Sequence, residues 1–174
     1  VNNAGTSSAS PFDETSDDVW DYDIELKVYG AIRCSRIAVE HMKNQGGGRI
    51  VNITTPGGKA PGPSSVPTSV SRAAGIALTK AMSKDLASDN ILVNTVGVGL
   101  IKSGQHRRRW EKINEQDANV SLDDFYEDMG SRVPMGRVGE AKEVGSVVAF
   151  LVSDRGSYVT GASINVDGGT SPVV

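Results

Sequence analysis

The sequence is poor in residues that mark several protein classes. One cysteine, Cys34, stands among 174 residues, so no internal disulfide can form and nothing implies an oxidising compartment. Two histidines and that cysteine, at unrelated spacings, make no metal-site pattern. Basic residues are not in surplus: 18 Lys and Arg face 21 Asp and Glu, a net charge of −3, which argues against nucleic acid as a partner. No apolar run approaches the ~20 residues that cross a bilayer. A soluble, cytoplasmic α/β protein with one domain's worth of core is therefore expected, with neither membrane nor nucleic acid as a partner. Tyrosine is the most informative scarcity. Its four copies are Tyr22, Tyr29, Tyr126 and Tyr158, so none falls between residues 30 and 125.

What is present alternates between helical and strand patterns. The chain opens on Val1-Asn2-Asn3-Ala4-Gly5, which reads as the end of a buried strand leaving its sheet, so a preceding segment is expected. Ser16 followed by Asp17-Asp18 gives an N-cap and an acidic first turn, and the apolar spacing predicts a helix from there to about Lys43. Asn44-Gln45-Gly46-Gly47-Gly48 ends it, because glycine supplies a left-handed C-cap. Arg49–Ile53 and Ile91–Val96 are short β-branched runs that predict buried strands. Between them lie a Pro/Gly/Ser loop from Thr54 to about Pro67 and an Ala-rich helix from Thr68 to Ala87. Residues 97–139 form a long polar connection with helical character near 107–115 and 122–129, a length that usually signals function. An amphipathic helix over Glu140–Val152 and a strand over Ser163–Val166 complete the order. Helices alternating with buried strands predict a doubly wound parallel sheet covered on both faces.

Several segments at matching spacings resemble the short-chain dehydrogenase/reductase family. They are Asn2-Asn3-Ala4-Gly5, Gly48-Arg49-Ile50-Val51-Asn52-Ile53, Ile91-Leu92-Val93-Asn94 with Gly99, and Pro134-Met135-Gly136-Arg137-Val138-Gly139-Glu140. Phe150-Leu151, Tyr158-Val159-Thr160-Gly161 and Val166-Asp167-Gly168-Gly169 extend the likeness through the C-terminal region. The resemblance implies that residues 1–174 are the C-terminal two-thirds of a single Rossmann-type domain, with 97–139 as the substrate and nicotinamide loop region. It also implies that about 80 residues, carrying the Gly-rich phosphate turn, would precede Val1.

The family's chemistry is hydride transfer between NAD or NADP and a carbonyl/alcohol pair, using an Asn-Ser-Tyr-Lys tetrad. Counting forward from Thr55, at the serine position, and back from Ala73-Ala74-Gly75 gives the same answer. The tetrad here is Lys27, Thr55, Thr68 and Arg72. With no tyrosine between 30 and 125, no gap placement restores the motif.

Each substitute has its own chemistry. Thr55 keeps a hydroxyl for a substrate oxygen. Thr68 gives up a proton far less readily than a phenol with its pKa of about 10. Arg72 is a lasting cation able to hold a ribose or phosphate. Lys27, if buried, has the chemistry of an acid or base at a lowered pKa, though Lys27 and Arg72 also suit structural ion pairs or cofactor binding. His106 is a further candidate donor, with a surface histidine as the blander alternative. The resemblance gives Asn2, Ala4, Gly5, Arg72, Gly99, Ile101 and Ser103 to the cofactor, with Val98 replacing a proline. Arg107-Arg108-Arg109-Trp110 suits either an acidic or CoA-like substrate or a solvated helix face offset by nearby acids. Cys34 and Met42 read as core or interface packing.

Two functions stay open. One is an oxidoreductase with a non-standard proton donor, acting on a small carbonyl or alcohol. The other is a pseudoenzyme that binds cofactor or assembles oligomers without reducing anything. Family members pair their two long helices, here about 17–43 and 68–87, so a homo-oligomer, dimer or tetramer, is implied.

Overall fold

The computed structural model describes residues 1–115 and 120–174; residues 116–119, part of the connection expected over 97–139, lie outside the described residues. Strands β1 (Gly48–Thr54), β2 (Ile91–Val98) and β3 (Ser163–Val166) form a parallel sheet in the order β1-β2-β3. Gly48 pairs with Ile91 and Thr54 with Gly97, while Thr95 pairs with Ser163 on the other side of β2. Asn2 adds a parallel bridge on the free edge of β1: its N–H donates to Val51 O (2.8 Å), and its carbonyl accepts from Ile53 N–H (3.0 Å). The opening residues therefore do lie against the sheet, as their small polar sequence suggested.

The helices are α1 (Asp17–Ile24), α2 (Gly30–Asn44), α3 (Thr68–Asp85), α4 (Gly104–Asn114), α5 (Leu122–Ser131) and α6 (Ala141–Val152). Successive strand residues face opposite layers, and the core divides accordingly. Ile50, Ile91 and Val93 pack with Val39 and Met42 of α2 and with Met82 of α3. Val51 and Val96 pack with Leu151, Val144 and Val148 of α6. Both faces are covered, which is the doubly wound arrangement. A separate cluster of Phe125, Met129 and Val138 with Trp110 ties α4 to α5. Among the described residues, no helix is long and apolar enough to cross a membrane.

The long first helix departs from its expected form. Residues Glu25–Tyr29 make a π-helical turn between α1 and α2, so the chain carries one residue more per turn there than an α-helix allows. The period-3.6 apolar pattern on either side conceals this, because the two flanking helices each keep their own face. Helix α3 stops at Asp85, two residues early, because Ala87–Asp89 tightens into a 3₁₀ turn closed by Asn90 in the left-handed region (φ 56°). Glycine is required after α2, where Gly46 and Gly47 adopt φ of 85° and 143°.

A buried polar tie fixes α3 to the sheet. Thr79 Oγ1 accepts from Asn52 Nδ2 (2.8 Å) and from Thr95 Oγ1 (2.8 Å), and donates to Gly75 O (2.9 Å). One donor and two lone pairs are all used, so the cluster is fully satisfied inside the core. The first residue of α3 is Thr68, and this tie holds the helix that carries it.

Candidate active site

Lys27 sits in the π turn with its side chain almost wholly buried (1 % exposed), beside a fully buried Asp23 one turn earlier. Its ammonium donates to Asp23 Oδ1 and to Thr68 Oγ1, the latter at 3.1 Å. Asp23 Oδ2 accepts from Ser71 Oγ at 2.6 Å. Thr68 Oγ1 also accepts the Ser8 backbone N–H at 2.9 Å. With two donors directed at its oxygen, the Thr68 hydroxyl has its own proton left to give. Within the protein that proton is directed to Asp23 Oδ1, at 3.5 Å, the outer limit of a hydrogen bond.

Burial pushes the Lys27 ammonium below its ordinary range; the hydrogen bond and charge of Asp23 oppose that fall, and the charge of Arg72 adds to it. Arg72 is likewise lowered by burial, with Asp23 opposing. Its Nη1 donates to Ile53 O (2.7 Å), while its Nε is buried with no partner.

A cavity of about 870 Å³ opens beside this cluster, lined by Thr55, Thr68 and Arg72 from the tetrad positions. Gly5, Gly99, Ile101 and Ser103 line it as well. Lys27 does not; it reaches this cavity only through its bond to the Thr68 hydroxyl, and itself lines a second cavity of about 430 Å³. Asn2 and Ala4 also face that second cavity. The Asn2 amide is engaged by Asn52 Oδ1 (2.7 Å) and Ser35 Oγ (3.1 Å), so it braces the sheet edge against α2. The structure thus groups five of the seven residues assigned to cofactor around the large cavity and places two elsewhere.

The remaining candidates separate. His106 lines the large cavity, half-buried, with Nδ1 unpartnered; burial and then the charge of Arg109 lower its pKa, which reduces the protonated fraction available as an acid near pH 7. Arg107 pairs with Glu111 on the solvent face of α4, whereas Arg108 lines the cavity. The Trp110 indole N–H donates to Val120 O (2.8 Å), and its partly buried ring packs against the α4–α5 cluster. Met42 packs in the core, while Cys34 is exposed and lines the smaller cavity.

Asp23, Ser71 and Ser8 are the residues that sequence reasoning passed over. The Asp23–Lys27 spacing of four on a helix was a readable signal, but such pairs are usually solvated. Only the depth of α1 under α3 turns it into a buried pair.

A parallel sheet with both faces covered, and a cavity past the C-terminal ends of β1 and β2, define a nucleotide-cofactor class of α/β protein. A family model described as enoyl-(acyl carrier protein) reductase matches residues 1–171. The 3-oxoacyl-[acyl-carrier-protein] reductase of Thermotoga maritima is 35% identical over 169 residues, covering 97% of this chain and 64% of that protein. Among solved structures, L-sorbose reductase from Gluconobacter frateurii, complexed with NADPH and L-sorbose, superposes with a TM-score of 0.93 at 28% identity, covering 99% of this chain and 66% of that one. Acetoin dehydrogenase from Enterobacter cloacae gives a TM-score of 0.81 at 37% identity, covering 97% and 62% respectively. The chain belongs to the short-chain dehydrogenase/reductase family. It spans about two thirds of the length of these relatives.

Proposed function

We propose that the whole protein is an NAD(P)-dependent oxidoreductase acting on a carbonyl/alcohol pair, in which Lys27 and Thr68 together replace the family's tyrosine. The observation that carries this is the Lys27 Nζ–Thr68 Oγ1 hydrogen bond at 3.1 Å, with Thr68 on the wall of the large cavity.

Thr68 alone is too weak an acid, but it need not ionise. As its proton passes to the oxygen of a carbonyl being reduced, its oxygen takes a proton from the Lys27 ammonium, and no alkoxide of Thr68 forms. Asp23 holds the ammonium in place and stabilises its charge. Thr55 supplies a second hydroxyl to the substrate oxygen. In the reverse direction the same bonds carry the proton back to Lys27.

The nicotinamide cofactor supplies the hydride when bound. The cavity suits a ribose or phosphate on two observations. Arg72, which lines it, holds a buried Nε without a partner. Gly5 lies so near the guanidinium that a Cβ there would stand 2.6 Å from Nη2, so the backbone approaches as a cradle would need. Gly99, Ile101 and Ser103 would hold the rest. We further infer a cytoplasmic homo-oligomer built on the two long helices, about 17–43 and 68–87; light scattering tests the oligomer.

One observation favours the pseudoenzyme reading. Lys27 is already paired by Asp23 and does not line the large cavity, which is the arrangement of a structural ion pair. The deciding experiment follows nicotinamide absorbance in the complete protein with a panel of carbonyls and alcohols. Turnover that falls ~10²-fold or more in both Thr68→Val and Lys27→Met supports the relay. Cofactor binding without turnover, or turnover indifferent to both substitutions, refutes it.

A further inference from the structure

The large cavity has an unusual charge for this chain. Arg72, Lys102, His106 and Arg108 line it, and among the described residues no Asp or Glu does, although acids outnumber bases in the sequence, 21 to 18. Two of these groups are already committed. Arg72 donates to the Ile53 carbonyl through Nη1 and is given above to the cofactor, and Lys102 pairs with Glu140 at 2.8 Å. The other two are not. Among the described residues Arg108 has no carboxylate partner, unlike its neighbour Arg107, and His106 keeps a buried Nδ1 without a hydrogen-bond partner. Both lie on the first turns of α4, the helix that α5 braces through Trp110 and Phe125.

A cleft lined by one sign of charge, with low-dielectric walls, concentrates ligands of the opposite sign. A guanidinium at such a site holds a carboxylate or phosphate through a fork of parallel N–H donors, and a neutral imidazole adds one more hydrogen bond.

We propose that the substrate is a small anionic carbonyl compound, its carboxylate or phosphate held by Arg108 with His106 beside it. This rests on the oxidoreductase reading for the word substrate, but the recognition is a matter of binding alone. Thr55 and Thr68 would then face the carbonyl, and α4 the anion, so that charge sets which end of the molecule enters first.

The test pairs each anionic compound with a neutral relative that lacks the charged group, measured by calorimetry on the complete protein loaded with NADP+, which cannot reduce either member. One pair is 2-oxobutyrate against pentane-2,3-dione, the other dihydroxyacetone phosphate against dihydroxyacetone. In at least one pair the anionic member should bind about tenfold more tightly, roughly 1.4 kcal/mol. That preference should shrink as salt rises from 50 to 500 mM (about 14 to 4 Å of screening length). Arg108→Gln should abolish the preference and His106→Gln reduce it, while Arg107→Gln, at a residue paired with Glu111 and outside the cavity lining, should keep it. Equal affinity within both pairs, failure of all four compounds to bind, or a preference indifferent to Arg108→Gln would each overturn the proposal. So would a preference seen only without NADP+, because the cations would then serve the cofactor. None of these readouts needs turnover, so a failed proton relay leaves the result interpretable.

Discussion

Replacing Lys27 by methionine isolates the buried pair. The substitution keeps the length and apolar stem of the side chain and removes only the charge, leaving Asp23 fully buried with Ser71 as its sole close donor. Breaking a buried ion pair from one side costs about 3–5 kcal/mol, because the remaining charge has lost its compensation. For a chain of 174 residues, each kcal/mol lowers Tm by roughly 2–4 °C, so a fall on the order of 10 °C is expected. Urea unfolding at pH 7 measures the free-energy loss, and a thermal melt the fall in Tm. Adding Asp23→Asn removes the orphaned charge while keeping an acceptor for Ser71, and the double variant should return to within about 1 kcal/mol of the parent. The pH dependence has a definite sign. Because the folded-state pKa of Lys27 is lowered, the unfolded chain binds more protons between that value and 10.5, and stability contributed by this residue rises with pH through the window. The methionine variant should lack that alkaline gain. A single substitution costing less than about 1 kcal/mol, or a double variant no more stable than the single, would refute the account of the pair. The double variant also separates structure from chemistry: if it is as stable as the parent and still turns over substrate, Lys27 supplies no proton.

Three further outcomes follow from the packing. Thr79→Val removes the acceptor of both Asn52 and Thr95 in the core and should cost about 2–4 kcal/mol in urea unfolding, while Thr79→Ser should cost much less; equal losses would be inconsistent with the hydrogen-bond account. Gly58→Ala puts a Cβ 2.9 Å from the Arg72 backbone carbon and 3.0 Å from Ala73 N, against helix α3 itself, so a loss of about 1–3 kcal/mol is expected, and an unchanged Tm would show that the loop yields freely. Glu143 is held down to about 2, first by Arg137 and then by the Glu140 N–H, so its contribution is complete above about pH 4.5 and is lost as pH falls toward 2; Glu143→Gln should remove that part of the acid limb in a thermal melt series.

Much of the fold was legible because its strands are β-branched runs bounded by glycine, and its helices carry apolar faces. Ser163–Val166 is a strand as the sequence suggested, and α6 begins at Ala141, with Glu140 and Glu143 capping it reciprocally. The positions of Thr55, Thr68 and Arg72 on one cavity wall follow from their spacing along β1, the loop after it and α3. What the sequence concealed was burial. Asp23 and Lys27 look like any surface pair at i and i+4, and only α3 packing over them makes them a core feature. The separation of Arg108 from Arg107 was equally hidden, since a run of three arginines does not say which one the helix turns inward. Asn2 was read through the family's cofactor motif, but its amide is spent on Asn52 and Ser35, a choice that depends on how closely α2 approaches the sheet edge.

The π turn over Glu25–Tyr29 sets the rotational phase of everything after it. Each residue advances an α-helix by about 100°, so deleting one residue here and regularising the turn would swing α2 through that angle. Ala31, Ser35, Val39 and Met42 would leave the sheet, and Cys34 and Ile37, now exposed, would turn toward new surroundings. The added residue is therefore a phase adjuster. It lets α1 place Asp23 beneath α3 and α2 place Met42 against β1, two demands that a single uninterrupted helix would have to meet with one face.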